Sequence, residues 1–188
     1  MRYVLASASE RRCELLKRII DDFNVVVSNF NEDTVKFDGN IPKYVESIAL
    51  GKAKEVMQSI TEPSIIIAAD TVVSINNEIL GKPKDEDDAY NMLCKLSDNI
   101  HEVFSGVVVI NTKSNKILKE SLKTKVFFSR LEEKEIKEYI KSKEPMDKAG
   151  AYGIQGKGGV FVKRIEGCYY NVVGLPLNKL NEMIKKIQ

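Results

Sequence analysis

The sequence predicts an α/β fold, and three features predict it. The segment Ser64–Ile75, SIIIAADTVVSI, is a continuous apolar run rich in Ile and Val, bounded by Pro63 and by Asn76-Asn77. That is the pattern of a strand buried on both faces. Shorter apolar runs near the start of the chain, at 2–6 and 24–30, supply neighbours for it. Between such runs lie stretches with apolar residues at helical spacing, as in Val45, Ile48, Ala49, Ala53, Val56, Met57 and Ile60, the stripe of a helix that buries one face.

Taken in order, Arg2–Ala6 reads as a short buried strand. It runs into Ser7-Ala8-Ser9 and a helix striped by Leu15, Leu16, Ile19 and Ile20, with Ser9 as N-cap. Arg11 and Arg12 fall in the first turn of that helix, where cations oppose the macrodipole. They are either a solvated pair or the partners of a bound anion, which free N–H groups and two guanidinium forks would welcome together. Asn24–Phe30 reads as a second strand ending at Glu32-Asp33. Acids at such a junction are either a polar loop or ligand groups. Pro42–Ile60 is a long helix, and Lys52 lies inside its stripe between Ile48 and Val56. A lysine there either snorkels to the edge or meets a buried anion, whereas Lys54, off the stripe, is surface.

After the long strand, Asn76-Asn77 suits a tight hairpin returning through 78–80. Gly81-Lys82-Pro83 then pins Lys82 between a permissive and a rigid residue. Asp85, Glu86, Asp87 and Asp88 are helix-start acids ahead of a core face of Ala89, Met92, Leu93 and Leu96. Strands over 102–111 and 118–129 enclose the turn NTKSNK, and Ser129 with Glu132 predicts a capping box for a helix through Ile136, Tyr139 and Ile140. The segment 146–159, MDKAGAYGIQGKGG, carries glycines at 150, 153, 156, 158 and 159, with Asp147, Lys148 and Gln155 among them. Such a backbone turns sharply or lets something approach closely, and it matches neither the Rossmann nor the Walker pattern. A hairpin over 160–173, turning at Glu166-Gly167, and a helix after Pro176 close the chain.

A length of 188 residues suits a single domain over 1–188, or two closely joined lobes. The 29 basic and 27 acidic residues alternate to a net charge of +2, so no broad basic footprint points to nucleic acid. No apolar run approaches the roughly 18 residues of a membrane span, and the start, MRYVLASASERR, is too short and charged for a signal peptide. Cys13, Cys94 and Cys168 are scattered and form no CxxC pair. They read as reduced thiols, and the protein as cytoplasmic. His101 is the single histidine, so a metal, if one is used, is a hard ion on carboxylate oxygens, Mg²⁺ or Mn²⁺.

Asp70 is the one acid in the apolar strand. It reads either as a strand-end cap or as a group that needs a cation or several hydrogen bonds to stay ionised. Arg11, Arg12, Lys52, Lys82 and Lys148 are cations on different elements, and Asp70, Glu32 and Asp147 are carboxylates at strand interiors or ends. With no histidine or cysteine nucleophile among them, this set fits a polyphosphate substrate carried with a divalent metal.

LASASERRCELL at 5–16, IALGKA at 48–53, AADTVV at 68–73, GKP at 81–83 and EPMDKAGAYGIQG at 144–156 together resemble the Maf family. Its members are nucleoside triphosphate pyrophosphatases, also described as septum-formation inhibitors. The resemblance implies a mixed, curved β-sheet flanked by helices, two lobes around a central cleft as in the related inosine-triphosphate pyrophosphatases, and a homodimer. It implies hydrolysis of the α–β phosphoanhydride with a divalent metal, Mg²⁺ or Mn²⁺. Asp70 matches the proton acceptor, Glu32 and Asp70 the metal side, and Ser7, Arg11, Arg12, Lys52, Lys82 and Lys148 the phosphate contacts. Arg11, Thr71 and Gln155 match the positions that mark the dTTP/UTP branch, as opposed to 7-methyl-GTP. A different base preference, such as CTP, or a nucleotide-binding regulator of septum formation, is the alternative. Glu10 stands where the family usually has proline, and Asn31 and Leu50 replace a frequent acid and a frequent arginine. An ordinary aspartate is a poor base at neutral pH, so Asp70 is expected mainly to ligate the metal and orient the water.

Overall fold

A computed structural model describes residues 1–188. It contains a seven-stranded mixed sheet with strand order β2-β1-β3-β5-β6-β7, and β4 paired to β3. The strands are β1 (Arg2–Leu5), β2 (Asn24–Val25), β3 (Ser64–Ile75), β4 (Glu78–Leu80), β5 (Ile100–Asn111), β6 (Lys116–Phe128) and β7 (Val162–Glu166). The helices are α1 (Glu10–Leu16), α2 (Ile41–Ser59), α3 (Glu86–Leu96), α4 (Glu133–Lys141), α5 (Tyr169–Val173) and α6 (Leu177–Ile187). No helix is long and apolar enough to cross a membrane. The chain divides into two compact units, one of residues 1–70, 105–122 and 174–188, the other of 71–104 and 123–173.

In the first unit β1 lies parallel to β2 and to β3, with Tyr3 opposite Ile65 and Leu5 opposite Ile67. The apolar run of β3 is buried almost throughout, as its composition predicts. The core joins Val4, Ile66, Ala68, Val108 and Ile110 of the sheet to Ala49, Ala53 and Val56 of α2. Gly106 is needed here, because a Cβ on it would lie 2.5 Å from the Val45 backbone of α2. Ser9 caps α1 by accepting the Arg12 N–H at 3.4 Å, and Asn40 caps α2 by accepting the Lys43 N–H at 3.0 Å.

In the second unit the remainder of β3 turns into β4 through Asn76 and Asn77, whose φ values of 51° and 63° are those of the expected tight hairpin. Asp85 caps α3, accepting the Asp88 N–H at 2.8 Å. The core gathers α3, α4 and an aromatic cluster. In that cluster His101 stacks edge-on to Phe128 and Tyr152, at 4.9 and 5.3 Å between ring centres.

Three local expectations are corrected. The strand expected over 24–30 stops at Val25: the Val26 N–H makes a last bond to Leu5 O at 3.0 Å, where β1 itself ends. Beyond it the Asn29 N–H turns to Glu55 Oε2 at 3.1 Å and the Phe30 N–H to Ser28 Oγ at 3.1 Å. The helix after β6 is capped at Glu132, whose N–H is held by Glu135 Oε2 at 2.8 Å, and Ser129 takes no part. The Ser129 backbone is already engaged, donating to Phe161 O at 2.8 Å and accepting from the Asp98 N–H at 3.0 Å. The expected closing hairpin is also different: β7 pairs with β6, and 169–173 is the helical turn α5. Asn171 explains this, since its buried amide donates to Val103 O and Thr124 Oγ1, each at 3.0 Å, and an extended strand would carry it away from them.

Candidate active site

In the first unit the polar candidates meet. Lys52, one of the α2 stripe residues, places Nζ 2.8 Å from Asp70 Oδ1 on β3 and 2.8 Å from Glu32 Oε1, in the short 3₁₀ turn Glu32–Thr34. The side chains of Lys52 and Asp70 are only 15% and 10% exposed, so this lysine meets a buried anion and does not snorkel. A buried pair of this kind adds little net stability against an apolar replacement, yet breaking it leaves an uncompensated charge. Arg12 belongs to the same group. Its Nε donates to Gly174 O at 2.9 Å and its Nη1 to Ser7 Oγ at 3.4 Å. Burial lowers the Arg12 pKa, the charges of Asp70 and Glu32 oppose that, and the neighbouring Arg11 charge reinforces it. Ser7 is itself buried, just beyond β1, where its hydroxyl also accepts the Ser9 N–H at 3.2 Å.

The donor set here fits a hard divalent ion. Two carboxylates converge on one point of positive charge, now Lys52 Nζ, and Mg²⁺ sites are typically one or two carboxylates completed by substrate phosphates and water. One neighbour went unread in the sequence. The Tyr44 phenol has its pKa raised by burial and then by the charges of Asp70, Glu32 and Asp33. The spacing 44, 48, 52 puts Tyr44 on the Lys52 face of α2, and that was the available signal.

The second unit holds Thr71, Lys82, Lys148 and Gln155. Thr71 follows Asp70 on β3 and is half-buried. Lys82 is exposed beside the buried Pro83. Gly81, just before it, accepts the Gly150 N–H at 3.0 Å, which ties the Lys82 turn to the glycine-rich segment. Lys148 Nζ is held by Asp147 Oδ1 at 2.6 Å and by the Glu144 carbonyl at 2.8 Å. Gln155 is exposed within the same segment. That segment folds as 3₁₀ turns at Glu144–Asp147, Ala149–Ala151 and Lys157–Phe161. The residue that organises it, Glu144, was only a letter in a motif at the level of sequence. Burial pushes its carboxyl up, but the N–H groups of Lys157 and Gly158, the Tyr139 hydroxyl and the Lys148 charge hold it below the usual carboxylate range.

The Maf-like protein family model matches residues 2–187. The chain belongs to the Maf family. Relatives named dTTP/UTP pyrophosphatase run the full length: one from Clostridium beijerinckii is 61% identical over 188 residues, covering all of both chains. Another, from Clostridium botulinum strain Eklund 17B, is 58% identical over 186 residues, 99% of each. Among solved structures, a HAM1 protein from Coxiella burnetii matches 99% of each chain with a TM-score of 0.51 at 12% identity, a likeness of fold.

Proposed function

We propose that this Maf protein hydrolyses dTTP and UTP to the nucleoside monophosphate and pyrophosphate, clearing these nucleotides from the pool in the cytoplasm. The substrate assignment rests on full-length relatives of that name at 61% and 58% identity. The chemistry rests on one observation, the Lys52 ammonium held 2.8 Å from each of two carboxylates, Glu32 and Asp70, in a largely buried position.

In this reading the cations carry the substrate. Ser7, Arg11, Arg12, Lys52, Lys82 and Lys148 take phosphate oxygens. Phosphoryl transfer needs little covalent help from protein groups, so positioning and charge neutralisation supply most of the effect. A divalent ion, Mg²⁺ or Mn²⁺, held by Glu32 and Asp70 would neutralise charge on the phosphates. Asp70 orients the attacking water, whose oxygen ends on one product phosphate as the α–β bridge breaks. Arriving phosphate competes for Lys52 and frees Glu32 and Asp70 for their second role. Thr71 and Gln155 read the base, the Gln155 amide being able both to donate to and to accept from a uracil or thymine edge. The chain is further proposed to work as a homodimer.

The test is pyrophosphate release measured across dTTP, UTP, CTP, 7-methyl-GTP and ITP with Mg²⁺ or Mn²⁺. Fastest release from dTTP and UTP is expected. A faster rate on 7-methyl-GTP, or release from none of the five, overturns the assignment. A solution mass of one chain, 21.2 kDa, would overturn the dimer.

A further inference from the structure

Glu144 is half-buried and receives three hydrogen bonds on its carboxylate. Oε1 accepts from the Tyr139 hydroxyl at 2.9 Å and from the Gly158 N–H at 3.2 Å, and Oε2 accepts from the Lys157 N–H at 2.9 Å. The Tyr139 oxygen in turn accepts the Gly153 N–H at 3.2 Å. The segment 153–158 is therefore tied at both ends, directly or through Tyr139, to one carboxylate, and Gln155 lies between the ties. The Glu144 carbonyl also holds Lys148 Nζ at 2.8 Å. Contacts around these groups are close enough to dictate sequence. A Cβ on Gly156 would sit 2.3 Å from Glu144 Oε1, and one on Gly153 would sit 2.6 Å from Lys148 Cε. A solvated glutamate would leave room for a side chain at 156.

We infer that Glu144 is a positioning residue for base selection: its carboxylate fixes the 153–158 segment so that Gln155 presents its amide in one arrangement. The inference rests on the proposed substrate contact of Gln155. An exposed glutamine on an untied loop would lose much of its discrimination to the entropy of ordering. Three donors from fixed groups, two of them backbone, remove that cost before substrate arrives. Glu144 touches neither water nor phosphate in this scheme, so its loss acts on binding and choice and leaves the chemical step alone.

The test is Glu144→Gln, nearly isosteric but with an amide nitrogen that cannot accept a hydrogen bond, so that at least one loop N–H loses its partner. Amide exchange at Lys157 and Gly158 should speed by about tenfold, the value of one charge-assisted bond. KM for dTTP and UTP should rise by about tenfold, and the preference for them over CTP should fall by a similar factor, with kcat within about threefold of the parent. Tyr139→Phe removes one donor to Glu144 and the acceptor of the Gly153 N–H. It should move KM and preference the same way by about threefold, and it carries the test if Glu144→Gln fails to fold. Unchanged KM and preference, or an equal fall in kcat on every triphosphate, overturns the inference. If the parent protein releases no pyrophosphate from dTTP or UTP, the proposed substrate fails by itself. The KM and kcat comparison is then made on whichever triphosphate of the panel is hydrolysed. Unaltered exchange at Lys157 and Gly158 overturns the positioning role whatever the substrate.

Discussion

Two acidic centres, one in each unit, are satisfied in opposite ways. Glu32 and Asp70 share a side-chain cation, Lys52, at 2.8 Å each, with Arg12 close by. Glu144 is satisfied by the fixed N–H groups of Lys157 and Gly158 and by a tyrosine hydroxyl. A side-chain ammonium can be shared with an incoming phosphate, and its carboxylates can then take another cation. Backbone donors cannot be released without unmaking the loop. The first centre is built to exchange partners and the second to hold a shape.

The sharpest break of that contrast is Asp70→Asn. It should abolish pyrophosphate release, a fall of at least about 10³-fold, and weaken Mn²⁺ binding in the same titration. Full Mn²⁺ affinity in the inactive variant would leave Asp70 as a base and not a ligand. Next comes Lys52→Met, which removes the shared cation and leaves two carboxylates facing each other beside Arg12. Urea unfolding at neutral pH should show a loss of about 3 kcal/mol, and Mg²⁺ should recover part of it. A neutral effect would mean that Arg12 already balances the pair.

The smallest effect at neutral pH belongs to a titrating group of the second unit. Burial lowers the His101 pKa from 6.5 to about 4, with Nε2 2.8 Å from the Tyr152 hydroxyl and the ring among Phe128 and Tyr152. The unfolded chain then binds the proton first on acidification. The stability due to the neutral ring is fully present above about pH 6.5 and is lost as pH falls toward 4, up to about 3 kcal/mol in all. His101→Gln should flatten the stability profile between those limits relative to the parent, read by denaturant midpoints at several pH values. An unchanged slope would place the acid sensitivity with the carboxylates.

Much of this is legible in the sequence. Lys52 sits on the apolar stripe of α2, and Asp70 is the one acid in β3, so each announced an unusual environment. What the sequence could not say was that each is the other's partner, because residues 52 and 70 meet only when α2 packs on the sheet. The Asn76-Asn77 hairpin, the Ser9 cap and the helix-start acids from Asp85 rest on contacts within a few residues. The segment 24–30 has strand composition but lacks a partner past Leu5, and 169–173 has strand composition but holds Asn171. Composition reports what a segment can do, and its neighbours decide whether it does.

By itself, then, the chain determined its α/β class, its capped helices, its buried central strand and its family, since periodicity, caps and motifs are carried by residues close in sequence. Tertiary structure alone decided that Lys52 joins Glu32 to Asp70, that β2 ends at Val25, and that Glu144 binds the Gln155 loop. Those outcomes are settled by hydrogen bonds and charges between residues far apart in the chain, whose geometry exists only once the segments have packed.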